Sequence, residues 1–200
     1  MFSLPMAHPT RRLKLLCAAA IAVLSAGASH AGLVHTEAGD AGELTGSAQA
    51  ILGNAPLSAV RGGTSDNDAA DLFAIRLTAG TEFTASTEDS SLSFNAFDTV
   101  LYLFDAFGQQ VAFNDDDIGS QSLLSFLPTV TGVYFLGITG ASYVPTFTGG
   151  SLSGWSSLTS EFGPYEIVLT GANAVPEPAT LLLAGLGLAA AGAARRRTAR

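Results

Sequence analysis

Nearly all the residues in this 200-residue chain that can do chemistry are carboxylates. Between Gly32 and Asn173, sixteen acids face only two bases, Arg61 and Arg76. The acids gather in two runs, Asp66-Asn-Asp68 with Asp71 and Asn114-Asp-Asp-Asp117. Hard oxygen donors crowded into loops suit Ca2+, which takes about six to eight oxygens and tolerates irregular geometry. Neither run is an EF-hand, because the stretch from Asp66 has Asp71 where the loop glycine belongs and no glutamate at its twelfth position. On an extended strand successive side chains alternate faces, so a turn must gather Asp115, Asp116 and Asp117 around one ion. These three are the first candidate ligand set for Ca2+, and Asp66, Asp68 and Asp71 are an alternative or a second one. The competing reading of both runs is a solvated acidic surface that discourages edge-to-edge association of strands.

Other chemistries lack their central residue. The three histidines, His8, His30 and His35, are all N-terminal, and the one cysteine, Cys17, lies in an apolar stretch near the start. A Ser-His-Asp triad, a histidine zinc site and a cysteine nucleophile are therefore excluded for the central region. Sequence-independent nucleic-acid binding is excluded too, since it needs clustered bases to replace counterions. Paired acids such as Asp98 and Asp105 leave a carboxylate-based carbohydrate-active enzyme as an alternative, given about 5–9.5 Å between the two carboxyls. No catalytic residue is assigned, and a non-enzymatic role is the expectation.

Residues 141–163 form a Gly/Ser/Thr-rich excursion that contains the single tryptophan, Trp155. Long loops of this kind are often functional. Tyr143, Phe147 and Trp155 can form a ligand-binding platform for sugar rings, with Ser153 and Ser156 as polar neighbours. Alternatively, they fold back on the domain as a small satellite core.

The elements that must position these groups are short strands. Candidates are Glu43–Ala48, Leu57–Val60, Asp71–Leu77, Glu82–Thr87, Thr99–Phe104, Gln110–Asn114, Leu123–Leu127, Val133–Thr139 and Tyr165–Thr170. They are separated by turn pairs such as Ala79-Gly80, Phe107-Gly108 and Gly149-Gly150. In the third of them, Phe73, Ile75 and Leu77 form the fully apolar face and should point to the core. Val100-Leu-Tyr-Leu-Phe104 is apolar on both faces, as expected of a central strand in a two-sheet sandwich.

Both ends read as addresses. Residues 1–31 combine Arg11, Arg12 and Lys14 with an apolar stretch and small residues near Ala31, the pattern of a secretory signal peptide. At the other end Val175-Pro-Glu-Pro178 precedes an uncharged run, Ala179 to Ala194, and then Arg195-Arg-Arg197. Sixteen residues of helix rise about 24 Å, slightly short of a bilayer core, and the arginines would stay cytoplasmic. This tripartite tail resembles the PEP-CTERM sorting signal of Gram-negative bacteria. The resemblance implies that Pro176, Glu177 and Pro178, with Arg195, Arg196 and Arg197, are read by an exosortase. It also implies a link to exopolysaccharide, biofilm or floc formation.

A second resemblance covers about residues 59–170. Phe97-Asp-Thr-Val-Leu-Tyr-Leu-Phe-Asp-Ala-Phe-Gly108, Asn114-Asp-Asp-Asp117 and Gly132-Val-Tyr-Phe-Leu136, with Asp71-Leu-Phe-Ala-Ile75 upstream, are similar to the bacterial pre-peptidase C-terminal (PPC) domain. That family implies an all-β, antiparallel, jelly-roll-like β-sandwich, often calcium-stabilised and appended to secreted proteases and matrix proteins. The expected organisation is a signal helix at 1–31, the sandwich at 32–174, and the sorting signal with an apolar membrane helix at 175–200. The expected role is an exported surface or matrix protein. Its partners would be signal peptidase, an exosortase, extracellular polysaccharide and, transiently, the inner membrane. A purely structural matrix protein is a further alternative.

Overall fold

The structure is a computed structural model that describes residues 32–177 apart from 67, 88–96, 118 and 158–160. The expected signal and tail helices fall outside the described residues. Thirteen strands are described: β1 (Leu33–Thr36), β2 (Gln49–Ala50), β3 (Leu57–Gly63), β4 (Ala70–Leu77), β5 (Phe83–Ser86), β6 (Thr99–Phe104), β7 (Gln110–Asn114), β8 (Leu123–Phe126), β9 (Gly132–Gly140), β10 (Tyr143–Thr148), β11 (Ser151–Ser157), β12 (Pro164–Thr170) and β13 (Ala172–Asn173). One sheet runs β1-β3-β12-β5-β8 and the other β13-β4-β9-β6-β7, with β2 also on β4. Between them lies the main core, formed by Phe73, Ile75 and Leu77 of β4, Leu101 and Leu103 of β6, Leu136 and Ile138 of β9, and Phe83, Ile167 and Leu169 opposite. The Phe73 face of β4 is thus the inward one.

Two expectations need correction. The sandwich is not purely antiparallel, because β1 pairs with β3 and β2 with β4 in parallel. Glu43–Ala48, expected as a strand, is a turn: Ser47 N–H donates to the Leu44 carbonyl at 3.0 Å, and Leu44 N–H donates to Ser47 Oγ at 3.2 Å. The Ser47 hydroxyl offers this backbone a local partner that a sheet ladder would have to displace.

The 141–163 excursion is largely a hairpin. β10 pairs with β11 in antiparallel register from Tyr143↔Ser157 to Thr148↔Ser151. Its turn is Gly149-Gly150, with φ of 62° and 89°, a left-handed pair that a two-residue hairpin loop needs and that side chains resist. The hairpin covers the outer face of the second sheet. Leu152 and Trp155 pack there on Leu72, Val100, Tyr102 and Phe104. Both faces of β6 are apolar because each has a layer over it: the opposite sheet on one side, this hairpin on the other.

Candidate functional site

Alternation along β4 places Asp71 on the same face as Phe73 and Ile75, at the end of the core row. Asp71 is fully buried, and Tyr165 of the opposite sheet donates its hydroxyl proton to Oδ2 at 2.6 Å. Oxygens of Asp40, Asp68 and Asp71 all lie within 4.8 Å of one another. Oδ1 of Asp68 and Oδ1 of Asp71 are buried with no hydrogen-bond partner. Burying an unpaired carboxylate oxygen is costly, and the charge responds by taking up a proton or a cation. Burial pushes the Asp71 carboxyl up to about 8; Asp68, Glu37 and Asp40 push it the same way, and the Tyr165 hydrogen bond opposes them. Asp68 is raised to about 6, by burial first and then by Asp40, Glu43 and Glu37. Tyr165 is likewise pushed well above the usual phenol range, by its own burial and then by Asp71.

The segment after β1 supplies the rest of this acidic pocket and is held by its own carboxylates. Glu37 accepts from Ala41 N–H at 3.0 Å and from Gly63 N–H at 3.1 Å, Asp40 from Gly42 N–H at 2.7 Å, and Glu43 from Ala69 N–H at 2.9 Å. Gly62 is required by close approach, since a Cβ there would collide with Glu37 Oε2 and the Tyr165 hydroxyl. Of the three residues Asp66, Asp68 and Asp71, the structure brings together the last two; Asp66 stands outside the group and Asp40 takes its place. Sequence reading missed Asp40 with its neighbours Glu37 and Glu43. Their only signal was the three-residue spacing of Glu37, Asp40 and Glu43 just ahead of the first core strands.

A second group joins Asp98, Asp115 and Asp116, again within 4.8 Å, and Asp98 Oδ1 is buried without a partner. Asp115 and Asp116 therefore meet Asp98 and not Asp117, whose N–H donates to the Gln121 carbonyl at 2.9 Å on the other side of the turn. The turn is held by Asn114, which accepts from Leu123 N–H at 2.8 Å, and by the Ser122 hydroxyl, which donates to the Asp115 carbonyl. Asp98 and Asp115 are both raised above the usual carboxylate range, by burial first and then by Asp116. Asp98 and Asp105 flank opposite ends of β6, about 23 Å apart along an extended strand, well outside the glycosidase spacing. Asp105 instead caps the β6–β7 turn, accepting from Phe107 N–H at 2.8 Å and Gln109 N–H at 3.0 Å.

The three candidate aromatics do not share one open surface. Trp155 is half-buried: its Nε1–H donates to the Glu43 carbonyl at 2.8 Å, and its ring meets Tyr102 edge-on at 5.4 Å. Tyr143 is buried, and its carbonyl accepts from the Tyr102 hydroxyl at 3.4 Å. Phe147 is 43% exposed, tilted against Phe104 at 6.4 Å. Pro176 and Glu177 are exposed, directly after Val175; Pro178, Arg195, Arg196 and Arg197 lie outside the described residues.

Residues 174–197 match the PEP-CTERM protein-sorting motif. Such a motif marks an exported protein that an exosortase processes. No curated protein is significantly similar to the chain. Among solved structures, the pre-peptidase C-terminal domain of a collagenase from Bacillus anthracis is similar at 12% identity and a TM-score of 0.40, covering 70% of this chain and 98% of that one.

Proposed function

We propose that this exported protein is a non-catalytic, calcium-stabilised β-sandwich of the cell surface or extracellular matrix, associated with exopolysaccharide and biofilm. The observation that carries the reading is the juxtaposition of a sorting motif, beginning at Ala174, with an acidic all-β domain whose last described strand ends at Asn173. Calcium is supported by the donor chemistry of Asp40, Asp68 and Asp71: three carboxylates, two of them with orphaned buried oxygens, one aimed in from the core. Glu37, Glu43 and backbone carbonyls of the same segment can complete an oxygen shell. Asp98, Asp115 and Asp116 offer a second, more exposed set. In the first set the ion would take the place of the proton that burial favours on Asp71.

Sugar contact is supported by the turn end of the β10–β11 hairpin. There Phe147, leaning on Phe104, keeps 43% of its surface exposed, and the exposed hydroxyls of Thr148 and Ser153 are joined at 3.2 Å. An exposed ring can stack on a pyranose face while neighbouring hydroxyls meet its edge. The test is cell fractionation combined with a chelator wash. The protein should be found outside the inner membrane, retained in the polysaccharide fraction with calcium and released by EDTA. Uniform recovery in the cytoplasm, or matrix retention indifferent to polysaccharide removal, would overturn the reading.

A further inference from the structure

The last residues of the domain are fastened before the tail begins. β13 pairs Ala172 with Leu77 and Asn173 with Arg76 of β4. Beyond it, Ala174 N–H donates to the Ala55 carbonyl at 3.0 Å, Val175 N–H to the Ile51 carbonyl at 2.6 Å, and Gly53 N–H to the Val175 carbonyl at 2.8 Å. Ala172 and Ala174 are buried in the main core. Pro176 has no N–H, so the pairing stops there, and Pro176 and Glu177 stand in the open. Yet the sorting motif starts at Ala174. Its first two residues are thus part of the sheet edge, and its recognition triplet begins one residue after the last paired one.

The spacer is short. Only Pro176, Glu177 and Pro178 separate Val175 from the uncharged run that begins at Ala179, four Cα steps that reach at most about 14 Å. Whatever holds the triplet and the run must therefore come against the edge from which the chain leaves. That edge carries the turn from Ile51 to Pro56, where Leu52, bridged to Val175, is 51% exposed, with Asn54 and Pro56 exposed beside it. Proteases commonly take their substrates as extended strands whose backbone groups are free to pair. From Ala172 to Val175 those groups are already committed.

We propose that the exosortase engages this chain as a folded substrate, with Ala172–Val175 still zipped to the sheet edge and the exposed turn around Leu52 as the domain surface that meets the enzyme. The proposal rests on processing of the tail by an exosortase. Recognition then uses the triplet and the folded edge together, and the residues before Pro176 never enter the enzyme as an extended strand.

The experiment locks the clamp. Pro56 and Asn173 are antiparallel bridge partners outside the sorting motif. The neighbouring bond from Ala174 N–H to the Ala55 carbonyl makes them a non-hydrogen-bonded pair, whose Cα separation of about 4.5 Å suits a disulfide. Cys17 lies in the signal segment, so the engineered pair has no rival thiol in the domain. The full-length P56C/N173C chain is expressed with its exosortase, and tail removal is followed by mass, oxidised and reduced. In parallel, a photocrosslinking residue replaces Leu52, or Gln110 on the far edge strand β7, about 19 Å away across four strand spacings.

Equal tail removal in the oxidised and reduced chains, with cross-links to the exosortase from position 52 and none from 110, is the expected result. Processing that is blocked when oxidised and rescued by reductant would overturn the proposal, because the enzyme would then have to peel the strand away. Cross-links from position 52 to lipid alone, or to nothing, would overturn it as well. A native chain that keeps its tail despite active exosortase would refute the sorting reading itself and the proposal with it. Should the cysteine pair abolish the domain's melting transition, the cross-link from Leu52 in the otherwise native chain decides the matter.

Discussion

Calcium binding at Asp40, Asp68 and Asp71 should expel protons, and the number follows from the two perturbed carboxyls. With Asp71 at about 8 and Asp68 at about 6, the calcium-free domain at pH 7 holds roughly 0.9 proton on the first and 0.1 on the second. A cation needs both as carboxylates, so binding releases about one proton at pH 7, about two at pH 5 and almost none at pH 9. Apparent affinity for calcium should accordingly fall by roughly 10^3 to 10^4-fold from pH 8 to pH 5. The same groups set the stability of the calcium-free domain. Asp71 in the folded state keeps its proton up to about pH 8, whereas the unfolded chain gives it up near 4, so between these values the folded state binds more protons. The contribution of Asp71 is then full below pH 4 and lost as pH rises, on the order of 5 kcal/mol by pH 8. Titration calorimetry in two buffers of different ionisation heat counts the protons directly. Asp71→Asn, whose amide oxygen can still accept from Tyr165, should remove both the proton release and the calcium-dependent gain in melting temperature. It should also leave the calcium-free protein at pH 8 at least as stable as before. No proton release at pH 7, together with equal calcium affinity at pH 5 and pH 8, would refute this account of the pocket.

Gly62→Ala should push Glu37 and Tyr165 apart, costing about 1–3 kcal/mol and weakening the calcium response; thermal melts with and without EDTA measure both effects. Trp155→Ala should cost about 2–3 kcal/mol, because it opens the packing between hairpin and sheet and removes the bond to Glu43, as denaturant titration would register. Phe147→Ala, at an exposed position, should cost under about 1 kcal/mol while reducing retention on polysaccharide in a pull-down, so the two aromatics separate packing from binding. Mass spectrometry of the mature protein should find the segment after Pro178 missing; an intact Arg195–Arg200 terminus would contradict processing of the tail.

The parts of the fold written in local pattern were legible. Thr99–Phe104 and Gln110–Asn114 are strands with the expected bounds, because the first is apolar from Val100 to Phe104, the second alternates Val111 and Phe113 with smaller or polar residues, and turn residues bound both. β2 and β13 have two residues each and carry no period; they exist because β4 offers them an open edge. β10 and β11 were hidden by their glycine, serine and threonine content and by Pro145, so only the need to cover Val100, Tyr102 and Phe104 betrayed them. Acidic runs drew attention to Asp68, Asp71, Asp115 and Asp116, but each group is completed from elsewhere in the chain, by Asp40 and by Asp98. Sequence proximity made Asp66 and Asp117 look like members. Which carboxylates converge is decided by sheet register and by the path of the segment after β1, both set by long-range pairing.

The position of β12 constrains how this protein comes into being. It lies inside the first sheet between β3 and β5, so Ile167 pairs with Val60 and Leu169 with Ala85, although 107 and 84 residues separate the partners along the chain. The first sheet has no continuous middle until residue 170 is available, and the core it shares with β4, β6 and β9 cannot close earlier. Such high contact order makes folding slow. For an exported chain, the topology means that the core closes only once β12 is on the same side of the membrane as β3 and β5.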